Sequence, residues 1–232
     1  MLSIIIPALN EAQRLTALLP ALLRACPDAE VIVADGGSSD DTRAVVARQP
    51  AARFVESRRG RARQMNAGAA VARGDVLLFL HADTWLPAET APAISAALRD
   101  PAVAYGRFDV CFDNLHWPFR LIARLMNARS RLSGICTGDQ AIFVRRQPFE
   151  TLGGYPDIPL MEDVELTRRL KRMGRLAALR TPVTAAARRW EREGILRTIL
   201  LMWTLRLLYF VGVSPERLHA WYYPALRPRS RG

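Results

Sequence analysis

Apolar and polar positions alternate in blocks along the first half of the chain. Short runs rich in Ile, Val, Leu and Phe occupy residues 2–7, 30–35, 52–56, 76–80 and 103–112. Segments with helical spacing of apolar residues lie between them, at 11–26, 40–48, 61–72 and 88–99. Strand-length runs separated by helix-length segments predict a parallel sheet built from βαβ units. Val76-Leu-Leu-Phe-Leu80 contains no polar position, as expected of a strand covered on both faces. After residue 113 the pattern loosens. Residues 141–145 read as a strand, and 162–173 as a helix with Gly174 as its C-cap. Residues 195–213 read as a long apolar helix, followed by a basic Pro/Arg tail.

Two of these helical patterns are unusual. Over 119–132, Arg120, Arg124 and Arg131 fall in a narrow stripe, opposite Leu121, Ile122, Leu125 and Met126. Arg129 breaks the pattern by falling among the apolar residues. Such a helix is either an ordinary surface helix or one that lies on an anionic membrane. In 195–213, Arg197 and Arg206 are nine residues apart, on opposite faces, and the rest is apolar nearly all round. That helix needs cover from lipid, from the rest of the chain or from a second copy.

Composition adds three constraints. The chain has 232 residues, half of them apolar, which suits one sizeable core. No repeat, low-complexity segment, signal-peptide pattern or charge-free 18-residue stretch is present, so a cytoplasmic location is expected. Cys26, Cys111 and Cys136 are too scattered for a disulfide framework or a metal site. The net charge of +11 is carried almost wholly by arginine, Lys171 being the single lysine, and implies an anionic partner. The arginines are dispersed and not interleaved with aromatics, which argues against nucleic acid as that partner.

The candidate chemistry gathers where strands end. In an open parallel sheet, ligands bind beyond the carboxyl ends of the strands. Pro7-Ala-Leu-Asn-Glu11 follows the first run, Asp35-Gly-Gly-Ser-Ser-Asp40 the second, and His81-Ala-Asp83 the fourth. Each alone suits a turn or a helix cap; three on one edge suit a ligand site.

Six segments, in order, resemble the motifs of family 2 glycosyltransferases. They are Ser3-Ile-Ile-Ile-Pro-Ala-Leu-Asn-Glu11, Val33-Ala-Asp-Gly-Gly-Ser-Ser-Asp-Asp-Thr42, Arg59-Gly-Arg-Ala-Arg-Gln-Met-Asn-Ala-Gly68, Gly74-Asp-Val-Leu-Leu-Phe-Leu-His-Ala-Asp-Thr84, Gly138-Asp-Gln-Ala-Ile-Phe-Val-Arg-Arg146, and Gly153-Gly-Tyr-Pro with Met161-Glu-Asp-Val-Glu-Leu166. The segment from Arg188 to Leu218 resembles a bacterial subgroup, the radical-SAM/selenodomain-associated transferase 2 proteins, whose name describes gene company and not a reaction.

The resemblance implies an α/β fold of the GT-A type, a mostly parallel sheet flanked by helices. It would span 1–190, with a nucleotide half to about 112, an acceptor half over 113–190, and a helical appendage with a basic tail over 191–232. The implied activity is inverting transfer of a sugar from a UDP- or GDP-linked donor to a small molecule or a polyprenyl phosphate.

By resemblance, Asp163 is the base, with Glu162 beside it. Asp83 holds a divalent metal, Mn²⁺ or Mg²⁺, with help from His81, which replaces the first Asp of the usual DxD. Asp35 meets the nucleotide, flanked by Pro7, Ala8, Asn10, Glu11, Gly37 and Ala82, while Arg61 and Arg63 meet the diphosphate. Asp139, Gln140 and Trp190 face the acceptor or the sugar. Ala186 stands where processive synthases of the family carry Gln, which argues against a processive enzyme.

Two other readings stay open. A nucleotidyltransferase on a similar fold would carry a Gly-rich basic loop after the first strand, where this chain has Ala8-Leu-Asn-Glu11. A non-catalytic scaffold would draw on the positive charge. A dinucleotide oxidoreductase is excluded, because no Gly-x-Gly-x-x-Gly follows the first strand. Peripheral contact with the inner face of the cell membrane is expected from the two unusual helices, and self-association is the other way to cover residues 195–213.

Overall fold

The structure is a computed structural model that describes residues 1–223; the Pro/Arg tail lies outside the described residues. The chain opens β1 (Leu2–Ala8), α1 (Ala12–Ala25), β2 (Glu30–Asp35), α2 (Thr42–Ala47), β3 (Ala52–Glu56), α3 (Arg61–Val71) and β4 (Val76–Phe79). It continues through β5 (Thr84–Trp85), α4 (Thr90–Ala97), β6 (Val103–Phe112) and α5 (Trp117–Ser133). A 3₁₀ turn at Gly138–Gln140 leads to β7 (Ile142–Arg145), α6 (Arg146–Thr151), α7 (Glu162–Leu170) and β8 (Arg175–Ala185). Three helices close the described chain: α8 (Arg188–Glu193), α9 (Ile195–Phe210) and α10 (Pro215–Tyr222).

All eight strands form one sheet in the order β3-β2-β1-β4-β7-β6-β8-β5. The run β3-β2-β1-β4 is parallel, as the alternating pattern requires. β7 then enters antiparallel between β4 and β6, and β8 lies parallel to β6. The sheet is an α/β sheet of the GT-A type, parallel through its first half and mixed beyond it. β6 therefore bonds only to strands made later in the chain.

Both faces of the sheet are covered. Ile4, Ile6, Val31, Val33, Leu78 and Leu80 pack with Leu15, Leu18, Leu19 and Leu22 of α1. Ile5, Ile32, Leu77 and Phe79 pack with α3 and α7 on the other side. Each such buried aliphatic side chain stabilises the fold by roughly 2 kcal/mol. Small residues bring α3 close: a Cβ on Gly68 would overlap the Ile5 side chain.

Three expectations need correction. The helix after residue 162 ends at Leu170, not at Gly174, and Gly174 is not left-handed. Glycine is needed at 174 for close approach, since a Cβ there would stand 2.7 Å from the Ala102 carbonyl oxygen. On α5 the buried stripe is Phe119, Ile122, Ala123 and Ser130. Leu121 and Leu125 are about half exposed, so the apolar side is rotated from the expected one. The long apolar helix is covered on one side only. Leu205 and Thr198 are buried and Leu201, Leu208 and Tyr209 pack on Leu160, Met161 and Val164, while Leu196, Leu200, Trp203, Leu207 and Phe210 are exposed. Among the described residues no helix is long and apolar enough to cross a membrane.

Candidate active site

The ends of β1 and β2 are tied to each other before any ligand is considered. Asn10 is left-handed (φ 56°), and its N–H donates to Ser38 Oγ at 2.8 Å. Its Oδ1 accepts the Ser39 N–H at 2.8 Å. The next two amides do likewise: Glu11 N–H reaches Thr42 Oγ1 at 3.0 Å and Ala12 N–H reaches Asp40 Oδ2 at 3.0 Å. Asp35 is buried, and its Oδ2 accepts the N–H groups of Gly37 and Ser38 at 3.0 and 2.9 Å. The Ser38 hydroxyl donates to its other oxygen. Gly37 itself is left-handed, exposed, and open around the position of an added Cβ.

Gln64 of α3 completes this floor, and sequence reasoning gave it no role. Its amide is buried and donates to the carbonyls of Ala8 (2.6 Å) and Ala34 (3.0 Å). One side chain thus clamps the last residues of two adjacent strands.

Acidic groups gather beside the floor. Glu11 takes an ion pair from Arg14. Burial nonetheless pushes its carboxyl above the usual range, and the nearby Asp83 charge pushes the same way. Arg188 of α8 is close enough to oppose both. Ala82 is buried, and the Asp83 carbonyl accepts the Ala186 N–H at 3.2 Å. Beyond Ala186 opens a cavity of about 710 Å³, lined by Asp113, Asn114, His116, Arg188 and Glu191 among others.

His81 Nδ1 stands 3.3 Å from Asp139 Oδ1. Gly138 makes room for the ring, because a Cβ there would overlap the imidazole. Burial works against the Asp139 charge, but the His81 hydrogen bond and the charges of His81, Arg61 and Arg206 outweigh it and hold the carboxyl below its usual range. Among the described residues no three His, Cys, Asp or Glu side chains are grouped to hold a metal ion. The His81 Nδ1 faces Asp139, so the metal expectation falls on Asp83, where a cation would have to complete its shell with ligand phosphates, the usual mode for Mg²⁺.

Asp163 sits in the first turn of α7, where the helix dipole favours a carboxylate. The Gly138 N–H donates to its Oδ2 at 2.8 Å and the Val164 N–H to its Oδ1 at 2.7 Å. Each oxygen keeps a further lone pair. Glu162 is buried, and burial and the Asp163 charge push its carboxyl up against the pull of Arg61, whose Nη1 lies 3.7 Å away.

His81, Asp139, Arg61, Glu162 and Asp163 are therefore linked by contact or by charge, Glu11 and Asp83 form a second such pair, and the segment His81-Ala-Asp83 joins the two sets. Three other candidates stand apart. Arg63 points to an exposed ion pair with Asp157 at 2.7 Å. Gln140 is fully buried and spends its amide on Ser130 (3.0 Å), Asn127 (3.3 Å) and the Thr137 N–H (3.3 Å), so it faces inward. Trp190 packs edge-on against Phe112, 5.8 Å between ring centroids, in the cluster beneath α5. Pro7 lies half-buried on β1. Cys136 is no nucleophile: burial pushes its thiol up to about 12.

Two further features escaped sequence reasoning. Asn66 of α3 accepts the Tyr155 N–H at 2.9 Å and donates to the Tyr155 carbonyl at 2.8 Å, locking the Gly153–Tyr155 loop to the floor. Arg129 and Arg206 bury guanidinium N–H groups that meet no partner among the described residues. Both arginines were visible in the sequence as breaks in apolar patterns, and that was the only signal.

A family model described as glycosyl transferase family 2 matches residues 3–153. A PGL/p-HBAD biosynthesis glycosyltransferase of Mycobacterium tuberculosis is 36% identical over 167 residues, 67% of this chain and 63% of the relative. The chain thus spans under two thirds of the length of the curated relatives it matches. Among solved structures, the mannosyltransferase PcManGT from Pyrobaculum calidifontis, in complex with GDP-Man and Mn²⁺, superposes with a TM-score of 0.67 at 24% identity. That match covers 97% of this chain and 70% of the other. Glucosyl-3-phosphoglycerate synthase from Mycobacterium tuberculosis, in complex with Mn²⁺ and UDP-glucose, gives 0.57 at 20% identity over 78% of this chain and 69% of the other. These two likenesses bear on the fold.

Proposed function

The chain belongs to glycosyl transferase family 2, and we propose that it moves a sugar from a UDP- or GDP-linked donor to an acceptor oxygen with inversion. What supports this reading is that Glu11, Asp35 and His81-Ala-Asp83 follow the carboxyl ends of the parallel strands β1, β2 and β4, and that Gly138, against the His81 ring, donates to Asp163. Titrants of both nucleotide classes are chosen because structural neighbours hold UDP- and GDP-linked sugars.

In the reaction, the acceptor oxygen attacks the anomeric carbon while the bond from that carbon to the diphosphate oxygen breaks. Asp163 takes the acceptor proton through a lone pair its backbone donors leave free. Those two N–H bonds fix the carboxylate's direction, which serves proximity and orientation. Glu162, its carboxyl pushed up by burial and by the Asp163 charge, stands between Asp163 and Arg61. Asp35 and the Asn10–Glu11 turn shape the nucleoside pocket. Arg61 offers a cation to the departing diphosphate. A Mn²⁺ or Mg²⁺ ion, held by Asp83 with His81 beside it, would neutralise charge on the leaving group.

The subgroup suggested by the segment from Arg188 to Leu218 belongs to the same proposal, as does attachment to the cytoplasmic face of the membrane. The bare row Leu196, Leu200, Trp203, Leu207 and Phe210 on α9, in a protein of net charge +11, suits an anionic lipid surface. Co-sedimentation with anionic liposomes tests this. Absence of binding, together with a dimer in solution, would assign the row to a second copy.

Calorimetric titration with UDP, GDP and their common sugars, with and without Mn²⁺, tests the reaction. Metal-dependent binding of one nucleotide, lost in Asp83→Ala, is expected. A folded sample that binds none would return the scaffold reading, and release of nucleotide-sugar from a nucleoside triphosphate would return the nucleotidyltransferase.

A further inference from the structure

Most buried polar groups near the site are satisfied within the protein; Arg129 of α5 and Arg206 of α9 are exceptions. The Nε and Nη2 of Arg129 and the Nε of Arg206 are out of contact with solvent and meet no hydrogen-bond acceptor among the described residues. Neither guanidinium forms an ion pair there. Burial pulls Arg129 down to about 10, and the Arg206 charge adds to the effect. Burial likewise disfavours the Arg206 charge. Guanidinium N–H groups removed from solvent without an acceptor cost the fold stability that packing elsewhere must supply.

Their surroundings say what would relieve that cost. The carboxylates whose charges act on both arginines are Asp163 and Asp139. The pair therefore borders the proposed base. Tyr222 of α10 adds its influence on Arg206 and on Arg61, so the third arginine of the site is nearby. The helix that carries Arg206 packs on Leu160, Met161 and Val164, the segment holding Glu162 and Asp163. Tyr209 donates from the same helix to Glu165 Oε2 at 2.8 Å. Helix α9 is thus a roof over the start of α7, with Arg206 on its inner side.

We propose that Arg129 and Arg206 bind a phosphate group carried by the acceptor, and hence that the acceptor is a phosphate ester. The inference rests on the glycosyltransferase reading and names the substrate class of its acceptor side. A phosphate brings about two negative charges and three strong acceptor oxygens. Guanidinium forks match that geometry, and unpaired N–H groups in a dry setting make each such bond count. The phosphate can come from a small ester or from a lipid, so both serve as probes.

The test titrates the full chain with glycerol 3-phosphate and with farnesyl phosphate, each with and without saturating UDP or GDP. The proposal expects one of the two to bind wild type, and the one that binds identifies the source. Arg129→Gln and Arg206→Gln should each weaken that binding at least tenfold and leave nucleotide affinity within twofold. A thermal melt of Arg129→Met without ligand should show a midpoint at or above wild type, because an unpaired buried charge has been removed. Three results would overturn the site. Variants that lose nucleotide but keep the ester would assign the pair to the donor's diphosphate. Equal ester binding in all proteins, or none, would leave no site. A large drop in the melting midpoint of Arg129→Met, with ester binding kept in the two Gln variants, would make the guanidinium a structural brace. Failure of every nucleotide to bind would count against the glycosyltransferase reading alone, since the ester arm without nucleotide still decides the site.

Discussion

The two ends of the candidate site are built on opposite terms. On the β1–β2 side the protein answers its own polar groups: Asp35, Asn10 and Gln64 all bond to neighbouring backbone. On the α5–α9 side, among the described residues, guanidinium N–H groups go unanswered and a row of large apolar side chains is bare. The first arrangement holds a shape whether or not a ligand is present. The second, on the proposal above, is completed by the acceptor's phosphate. On that proposal, rigidity sits where the nucleotide is read and unmet demand where the acceptor arrives.

The largest expected effect breaks the packed side. A Cβ on Gly106 would stand 2.6 Å from the Ala177 carbonyl and overlap the Phe143 ring. Gly106→Ala should cost about 3 kcal/mol or abolish folding, read by chemical denaturation. Next is Asn66→Ala, which strips partners from both backbone groups of Tyr155. A loss of about 2 kcal/mol is expected, with proteolytic nicking near Gly153 as a second readout.

Glu165 sharpens the comparison at the junction between the two sides. Hydrogen bonds from Arg168 foremost, with Arg169 and Tyr209, hold its carboxyl at about 2, against an ordinary 4.5. A depressed carboxylate contributes stability above its unfolded value and loses it as pH falls through the folded one. Stability should therefore decline between pH 4.5 and 2, and Glu165→Gln should flatten that limb. The half-exposed arginines reduce the effect to about 2 kcal/mol. Smallest of all, Trp203→Ala should change stability by under about 0.5 kcal/mol, since the side chain is 65% exposed. The same variant should weaken liposome binding several-fold. A full tryptophan lost at less cost than one added methyl group would confirm the contrast; equal costs would erase it.

What the sequence disclosed follows the same division. β1, β2 and β4 were legible because parallel strands covered on both faces must be apolar and bounded by turn residues. The segments at their ends were legible as motifs. β8 was not: Arg175–Ala185 is rich in Ala and Arg, lacks alternation, and carries Pro182. The structure accommodates that proline at a register shift, where Phe108 pairs with Leu179 but Asp109 with Pro182. Gln64 and Asn66 were hidden because their partners are backbone groups distant in sequence. Arg129 and Arg206 could be seen as exceptions to a pattern, but only three dimensions bring them to Asp163.

The sheet order also bears on how the chain is made. β6 leaves the ribosome with no partner: β7 begins at Ile142 and β8 at Arg175. For some thirty residues of synthesis, and more for its other edge, a ten-residue apolar strand has both edges open. A nascent chain stalled in that interval presents the kind of edge that recruits other strands. Production of this protein should therefore depend on chaperone supply and growth temperature more than the packing of the finished core suggests.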